Sequence, residues 1–409
     1  MKRVLLLLSF FLGMMLGAHA NEEHEKYHPK ETDDYITIND VTVVPGSNEK
    51  YELLISLEGS KIYTAYEMDI EFPAGLEVVV DEDGPCVMLW EDEGCIYPKT
   101  RKKITHTVTS SWGKIGANCL RLACVDLSVK EFVATKGILL SIYCKAGAYL
   151  KPGDVNLKVS NLHFITNEEV WVDGKKLNGQ QYTCKDQTLT VHVANRSTAS
   201  ISVSAKNKFG TCVLPFDVDE LPDGLHAYSV TERSADAKYA FLTEQKSIKA
   251  FVPYILYDEN GYSGTFSGEV DESKYQEEVN EGILYGTMVP RSVKEGFILQ
   301  NQGSGVKLYA MMGNQFLIPA GRCWVLPKIY NGPGVKSLDL SFDEETGIGA
   351  TPADKPHSSQ PAIYMLDGKR VQHPQAGHIY IIPQFGITER LIQHKCSVHT
   401  PPSHAIRSG

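Results

Sequence analysis

AYEMDIEFPAGLEVV, residues 65–79, shows most clearly the pattern of apolar and polar residues on which the fold prediction rests. Apolar and acidic side chains alternate through its first half, with one face formed by Tyr66, Met68, Ile70 and Phe72 and the other by Glu67, Asp69 and Glu71. A period of two residues is typical of a β-strand with one buried face. Pro73 and Gly75 then supply turn residues before a new apolar run begins at Leu76.

The same alternation recurs along most of the chain. It begins at YELLISL (51–57), and further short runs follow with Gly and Pro between them: ITHTVTS, CLRLACV, GILLSIYCK, VNLKVSNLHF and LTVHVAN. Short strands at this spacing are typical of a β-sandwich, which we predict over residues 37–193.

A second β-domain is predicted over residues 199–343. TCVLPFDVD alternates again, and GFILQNQGSGVKLYAMMGNQFLIPAGRCWVLP divides into three strands at its Gly-containing turns. The one predicted helix is DESKYQEEVN, residues 271–280. The predicted fold class is therefore mainly β.

The first 20 residues have the composition of a secretory signal peptide. Lys2 and Arg3 precede an apolar run, and Ala18-His19-Ala20 forms an A-x-A cleavage site. No later stretch approaches the roughly 20 apolar residues of a transmembrane helix. We therefore expect an exported chain without a transmembrane span, which begins with an acidic polar linker over residues 21–36.

The charge of the chain disfavours one class of partner. The sequence has 40 Lys and Arg residues against 50 Asp and Glu residues, a net charge of −10. Proteins bind nucleic acids largely through basic side chains that displace counterions from phosphates. We therefore expect no nucleic-acid partner.

The character of the sequence changes after residue 343. Residues 344–361 contain Pro, Ser and Thr without an apolar period, and are predicted to form a linker. Residues 362–383 place apolar runs on both sides of Asp367-Gly368, which is a hairpin signal. Residues 384–409 show no alternation and are predicted to be an irregular tail.

Two stretches resemble known domains. Residues 37–193 resemble cohesin-like domains, which are related to carbohydrate-binding β-sandwiches, through AYEMDIEFPAGLEVV, Arg101, His106, LRLACVDLSVKEF, GILLSIYCKAG and GDVNLKVSNLHF. The resemblance implies a sandwich that docks a protein partner. Residues 209–327 are similar to a small β-domain of exported proteins from some Gram-negative anaerobes, through LPFDVDELPDGLHAYSV, LYGTMVP and FLIPAGRCWVL. That similarity implies no activity.

The segment IYMLDGKRVQHPQAGHIYII resembles the C-terminal sorting domain of the type IX secretion system. The matching residues are Asp367, Gly368, Arg370, Val371, Gly377 and Tyr380. The resemblance implies recognition by the secretion machinery and a location at the cell surface of a Gram-negative bacterium. The Lys-rich closing strand that is usual in such tails is absent from residues 384–409.

An H-E-x-x-H motif raises a zinc-peptidase alternative. His24, Glu25 and His28 have the spacing that places two imidazoles on one helix face beside a general base. Pro29 follows immediately, however, and no apolar residues surround the motif to form a pocket. A solvated linker is the favoured interpretation, and no catalytic residue or metal ligand is predicted.

Three acidic stretches are candidate sites. Asp81-Glu82-Asp83-Gly84 and Asp258-Glu259-Asn260-Gly261 each resemble part of a calcium loop but lack the twelfth-position Glu in frame, which favours turns. A structural calcium ion stays an alternative, and no cofactor is predicted. Glu67, Asp69 and Glu71 could form a carboxylate pair for glycoside hydrolysis, but a solvated sheet face is favoured.

Aromatic side chains are the remaining candidates for ligand binding. Trp90, Trp112, Trp171 and Trp324, together with a Tyr-rich face at Tyr63 and Tyr66, could stack on sugar rings. A core role is favoured for any single tryptophan, and Trp90 and Trp112 are the better candidates for exposure because their surroundings are polar and loop-like. Nine cysteines in an exported chain could form disulfides, and the sequence suggests Cys86 with Cys95 and leaves Cys396 unpaired, without fixing the connectivity.

Together these features predict an exported, surface-associated binding protein without catalytic chemistry. The expected ligand is a protein partner or a polysaccharide. The alternatives are the zinc peptidase and a structural component of a surface layer.

Overall fold

The computed structural model describes residues 27–342, except 173, 234–238, 304, 312–314 and 327–334, and also the backbone of 363–365, 370–371, 379–381 and 392–393. The regular elements of these residues are β-strands, apart from one 3-10 turn at Glu272–Lys274. The predicted mainly-β fold class is confirmed. None of the described segments is a helix long and apolar enough to cross a membrane.

The first part of the described chain contains nineteen strands. In chain order they are β1 (Lys30–Glu31), β2 (Tyr35–Ile38), β3 (Thr42–Val43), β4 (Tyr51–Glu58), β5 (Ala65–Glu71), β6 (Leu76–Val78), β7 (Val80–Asp81), β8 (Gly84–Pro85), β9 (Val87–Leu89), β10 (Lys99–Thr100), β11 (Lys103–Ile104), β12 (Thr107–Trp112), β13 (Cys119–Val125), β14 (Lys136–Ala146), β15 (Gly153–Ile165), β16 (Glu169–Val172), β17 (Lys175–Asn178), β18 (Gln181–Thr183) and β19 (Gln187–Val193).

Two of its sheets form a β-sandwich. The larger runs β1-β18-β15-β5-β13-β12, with β19 paired to β15 and β3 paired to β19. The smaller runs β2-β4-β14-β6, with β9 paired to β14. Strand β4 buries alternate residues, Leu53, Ile55 and Leu57, against Met68 and Ile70 of β5 in one continuous core. The period-two pattern therefore identified the sandwich because only one face of each strand meets the opposite sheet.

The next part of the described chain contains fourteen strands. They are β20 (Arg196–Val203), β21 (Phe209–Val213), β22 (His226–Arg233), β23 (Tyr239–Gln245), β24 (Pro253–Tyr257), β25 (Tyr262–Glu269), β26 (Glu278–Glu281), β27 (Leu284–Thr287), β28 (Arg291–Val293), β29 (Phe297–Asn301), β30 (Val306–Ala310), β31 (Phe316–Ile318), β32 (Arg322–Val325) and β33 (Ser337–Phe342). Ten of them form one sheet in the order β21-β24-β22-β23-β33-β30-β29-β32-β27-β26, while β20 pairs with β25 and β28 with β31.

Loop 147–152 of the sandwich packs directly against this second part. Tyr149 lies over Gly321, where a Cβ would stand 2.1 Å from the tyrosine ring. The hydroxyl of Tyr275 donates to the Tyr149 carbonyl at 2.7 Å, and burial raises the pKa of the Tyr149 hydroxyl. Gly46 makes another close approach, against Thr198 of β20. The two parts are therefore joined by packed contacts as well as by the chain.

The strands near the C terminus belong to a separate compact unit, Gly347–Gly409. They are β34 (Ile363–Met365), β35 (Arg370–Val371), β36 (Ile379–Ile381) and β37 (Ile392–Gln393), in the order β35-β34-β36-β37. Strands β34 and β35 pair antiparallel on either side of residues 366–369, as the hairpin prediction requires.

The helix predicted over residues 271–280 is wrong. Asp271 caps a single 3-10 turn by accepting a hydrogen bond from the Ser273 amide. The chain then turns extended, and Glu278–Glu281 pairs with Leu284–Thr287 in a hairpin around Gly282, whose φ is +59°. Cross-strand pairing in the large sheet outweighs the helix propensity of this Glu-rich segment.

The suggested Cys86–Cys95 disulfide is also wrong. The structure records the eight cysteines of its described residues as free thiols. The Cys86 carbonyl accepts from the Tyr143 amide, while Cys95 forms a bridge with Ile138. Tyr143 and Ile138 are separated by about 15 Å along β14, so the two cysteines beside them are far apart. A disulfide needs Cα atoms within about 7 Å. Cys396 lies outside the described residues.

Candidate functional site

The outward surface of the larger sandwich sheet carries an ordered set of charged groups. We call this surface, formed by β12, β13, β5 and β15, the Asp69 face. Strand register places Arg121 of β13 opposite Asp69 of β5, and Ser160 of β15 opposite Asp69 on its other side. The face exists because Glu67, Asp69 and Glu71 alternate with residues that point into the core.

Asp69 is held by three hydrogen bonds. Arg121 binds it through two parallel bonds, with Nε at 2.7 Å from Oδ1 and Nη2 at 2.7 Å from Oδ2. Asn161 Nδ2 donates to Oδ2 at 2.7 Å. Asn161 reaches the carboxylate because β15 has an irregularity between Ser160 and His163, where Asn161 takes a φ of +52°. A bidentate guanidinium and a bulged strand thus fix this carboxylate in one orientation.

The carboxylate is buried although it belongs to the outer face. The Asp69 side chain is 5% exposed, and the Arg121 side chain is 40% exposed. Burial opposes the ionisation of Asp69, but the hydrogen bonds from Arg121 and Asn161 outweigh it and lower the pKa of Asp69 below its ordinary value. The prediction that Glu67, Asp69 and Glu71 form a solvated face is therefore wrong for Asp69, while Glu67 and Glu71 are exposed.

A rim of exposed charges surrounds Asp69. Glu71 faces Lys158, with Oε1 and Nζ 3.5 Å apart, and Glu67 Oε1 lies 4.0 Å from Arg121 Nε. His163 pairs in register with Glu67, and its Nδ1 lies 3.1 Å from the Thr183 hydroxyl. Desolvation lowers the pKa of His163 despite the nearby carboxylates of Glu67 and Asp69, so this imidazole is neutral at pH 7.

The predicted aromatic surface at Tyr63 and Tyr66 does not exist. Tyr63 is fully buried and donates a hydrogen bond to Asp34, while Tyr66 is 2% exposed and its hydroxyl lies 3.0 Å from that of Tyr97. Both rings belong to the core cluster that also contains Phe164. They cannot stack on a sugar ring, so the prediction is corrected.

The four tryptophans have different positions. Trp112 is half-buried and packs edge-on against Phe72, with ring centroids 5.4 Å apart. Trp90 is half-buried, and its Nε1 donates to the Glu93 carbonyl at 2.7 Å. Trp324 is 2% exposed, whereas Trp171, on the β16–β17 hairpin, is 61% exposed. The prediction that Trp90 and Trp112 are more exposed than Trp171 is therefore wrong.

Alanine substitutions separate the structural tryptophan from the exposed one. Trp112→Ala is expected to lower the free energy of unfolding by about 2 kcal/mol, because it removes a ring that packs on the core. Trp171→Ala is expected to change it by less than about 0.5 kcal/mol. Urea denaturation of both variants measures the difference, and equal effects would contradict the placement of these two rings.

The remaining sequence candidates lie apart from the Asp69 face. His24 and Glu25 lie outside the described residues, and His28 is exposed just before β1. Asp81 and Asp258 each accept a backbone hydrogen bond from the residue two positions later, so both acidic segments are turns. Within the described ranges, no three His, Cys, Asp or Glu side chains are grouped so that they could hold a metal ion.

The residues of the sorting-tail motif are only partly described. Arg370 and Val371 form β35, and Tyr380 lies in β36 opposite Met365. Asp367, Gly368 and Gly377 lie outside the described residues.

Sequence reasoning missed Arg121, Asn161 and His163. Arg121 lies between two core leucines of CLRLACV, so its position on the outer face was readable from the alternation. Its pairing with Asp69 joins residues 52 positions apart, and Asn161 is 92 positions from Asp69. The bulge that turns Asn161 toward the carboxylate has no signal in the apolar alternation of β15.

No protein-family model and no curated protein matches the sequence. Among solved structures, the chain is similar to the seventh ScaB type I cohesin of Pseudobacteroides cellulosolvens, with 13% identity and a TM-score of 0.29 over 39% of this chain and 92% of that one. It is similar to a non-cellulosomal cohesin of Archaeoglobus fulgidus, with 11% identity and a TM-score of 0.24 over 39% and 91% of the two chains.

A third likeness is to a type I cohesin–dockerin complex of Clostridium thermocellum. It has 10% identity and a TM-score of 0.25 over 43% of this chain and 99% of that one. At these TM-scores the fold assignment rests on the sheets and the core described above. These define a β-sandwich with a charged, ion-paired sheet face.

Proposed function

We propose that this chain is an exported, surface-associated binding protein without catalytic chemistry, and that its sandwich docks a protein partner on the Asp69 face. The observation that carries the proposal is the buried Asp69 carboxylate, which the partly exposed Arg121 binds through two hydrogen bonds within a rim of exposed charges. A side-chain arrangement fixed in advance gives electrostatic complementarity and specificity to an interface.

The shape of the face favours a macromolecule over a small ligand. Small-molecule sites are concave, whereas protein interfaces of standard size cover about 800 Å² on each partner. Adjacent strands of an antiparallel sheet provide such an area without a pocket. Two depressions of the described surface lie elsewhere, at residues 31–35 with 58–60 and at residues 291–295.

The sequence supplies the rest of the proposal. The cohesin resemblance of residues 37–193 implies a protein partner, and the signal peptide and the sorting-tail resemblance support export to the surface of a Gram-negative cell. A glycan ligand is the second candidate, because Trp171 presents an exposed indole on a projecting hairpin.

Affinity capture distinguishes these candidates. The chain from residue 21 onward, immobilised at physiological salt, is exposed to the secreted proteins of the producing cell and separately to a panel of polysaccharides. We expect saturable retention of a protein. Retention of a polysaccharide that is lost in Trp171→Ala would replace the protein proposal with the glycan one. Self-association without either ligand would indicate a structural role, and one tightly held zinc ion per chain would support a peptidase.

A further inference from the structure

The second part of the chain has a long sheet edge that no strand of the described residues covers. Strand β25 (Tyr262–Glu269) pairs over its whole length with β20 and with no other described strand. Its register with β20 is continuous and contains no bulge. On the inner face Tyr262 and Phe266 pack against the core, with ring centroids 6.2 Å apart, so the strand is held in place.

Every second residue of β25 points its backbone groups away from β20. The Val270 amide donates to the Asn195 carbonyl at 2.6 Å, so these two residues form a hydrogen-bonded pair at the end of the ladder. Thr198, which faces Ser267 in the register, donates its amide away from β25, to the Pro45 carbonyl at 3.0 Å. Hydrogen-bonded and non-hydrogen-bonded pairs alternate in an antiparallel ladder. The residues with outward N–H and C=O groups are therefore Ser263, Thr265, Ser267 and Glu269.

The outward side of β25 is open to another chain. Among the described residues, no group forms a hydrogen bond with the outward N–H and C=O groups of Ser263, Thr265 and Ser267. The side chains of these residues are exposed. Natural edge strands are usually protected by Pro, Lys, a bulge, a short length or a covering segment. Residues 262–268 contain no Pro, no Lys and no bulge.

Other edge strands of the described chain carry such protection. Strand β1 has two residues and β2 has four. Strand β26 has four residues, of which two are Glu278 and Glu281. The far side of β20 bonds to Pro45 of the sandwich through Thr198. Strand β25, with eight residues and no charge before Glu269, differs from all of these.

The sequence of β25 matches a second copy of itself. Antiparallel pairing centred on Thr265 brings outward-facing residues together, with Thr265 opposite the second copy's Thr265 and Ser263 opposite its Ser267. Each aromatic residue then lies opposite a glycine, and no like charges meet because residues 262–268 are uncharged. Thr198 Oγ1 and Ser267 Oγ, 2.8 Å apart, already form such a hydroxyl pair between β20 and β25. This match of the strand with itself favours a second copy as the occupant.

We propose that two copies of this chain associate through antiparallel pairing of their β25 strands about Thr265, which joins two β20–β25 ribbons into a four-stranded sheet. Both copies use the same surface, as in a dimer with two-fold symmetry. Strand β25 belongs to the second part of the chain, so this contact does not use the Asp69 face. The dimer therefore accompanies partner docking rather than replacing it.

Analytical ultracentrifugation of the chain from residue 21 onward, over a range of concentrations, tests the proposal. We expect the wild type to show a reversible monomer–dimer equilibrium. Thr265→Lys and Thr265→Glu are each expected to weaken the dimer at least about tenfold, because two like charges then face each other at the symmetry axis. An equimolar mixture of the two variants is expected to dimerise again, because Lys then faces Glu.

Ser200→Lys is the matched control. Ser200 is exposed and lies opposite Thr265 on β20, away from the open edge, so this variant is expected to dimerise as the wild type does. Denaturation curves of the three variants confirm that the fold is retained. A wild type that stays monomeric at every concentration, single variants that dimerise as well as the wild type, or a mixture that dimerises no better than its components would overturn the proposal.

Discussion

Gly46→Ala is expected to lower the free energy of unfolding by about 4 kcal/mol. Gly46 has a φ of +72°, a region that is costly for residues with a Cβ. A Cβ there would stand 1.7 Å from the Thr198 carbonyl oxygen and 2.7 Å from its carbon. These are backbone atoms of β20, which pairs along its length with β25, so a rotamer change cannot relieve the overlap.

The matched control is Gly174→Ala. Gly174 has a φ of +68°, but nothing lies within 4 Å of its Cβ position. Gly174→Ala is expected to lower the free energy of unfolding by only about 1 kcal/mol, the cost of a positive φ for a residue that has a Cβ. Urea denaturation of both variants isolates the steric contribution of the contact between the sandwich and the second part. Equal losses would show that Gly46 does not approach Thr198 as the structure has it.

Arg121→Ala is expected to lower the free energy of unfolding at pH 7 by about 3 kcal/mol, because it leaves the buried Asp69 carboxylate without its counter-ion. Lys158→Ala is the matched control on the same face. Its partner Glu71 is 58% exposed, and the Lys158 side chain is 68% exposed. Loss of this exposed pair is expected to cost less than about 0.5 kcal/mol.

The Arg121→Ala effect should depend on pH. The pKa of Asp69 is lowered in the folded chain, so its ionised form stabilises the fold above the ordinary Asp pKa of about 3.9. That stabilisation is lost as the pH falls through the lowered pKa. The difference in unfolding free energy between the wild type and Arg121→Ala should therefore shrink below about pH 4. A difference that stays constant from pH 7 to pH 3 would contradict the role of Asp69.

The sequence predicted strands well where one face is buried. YELLISL was predicted as a strand, and β4 runs Tyr51–Glu58 with Leu53, Ile55 and Leu57 buried. The quoted segment AYEMDIE is β5, Ala65–Glu71. These predictions succeed because every second residue of such a strand is buried against the opposite sheet, so apolar residues occupy every second position of the sequence.

Features set by distant residues could not be predicted. Asp69 has the same local pattern as Glu67 and Glu71, and only Arg121 and Asn161 distinguish its environment. Tyr63 was predicted to belong to a Tyr-rich binding face, but its hydroxyl donates to Asp34 inside the sandwich. Both outcomes depend on strand register between remote segments, which local alternation does not encode.

The most direct test of the proposed function compares three immobilised chains in the capture of secreted proteins. These are the wild type, Glu67→Lys/Glu71→Lys on the Asp69 face, and Glu77→Lys as a control. Glu77 is an exposed residue of β6 in the smaller sheet. Glu77→Lys therefore reverses the charge of a strand residue that lies outside the Asp69 face. Denaturation curves of all three chains confirm that the fold is retained.

We expect one protein to bind the wild type and Glu77→Lys with equal affinity and the double variant at least about tenfold more weakly. Equal retention by all three chains, or retention of no protein by the wild type, would contradict docking on the Asp69 face.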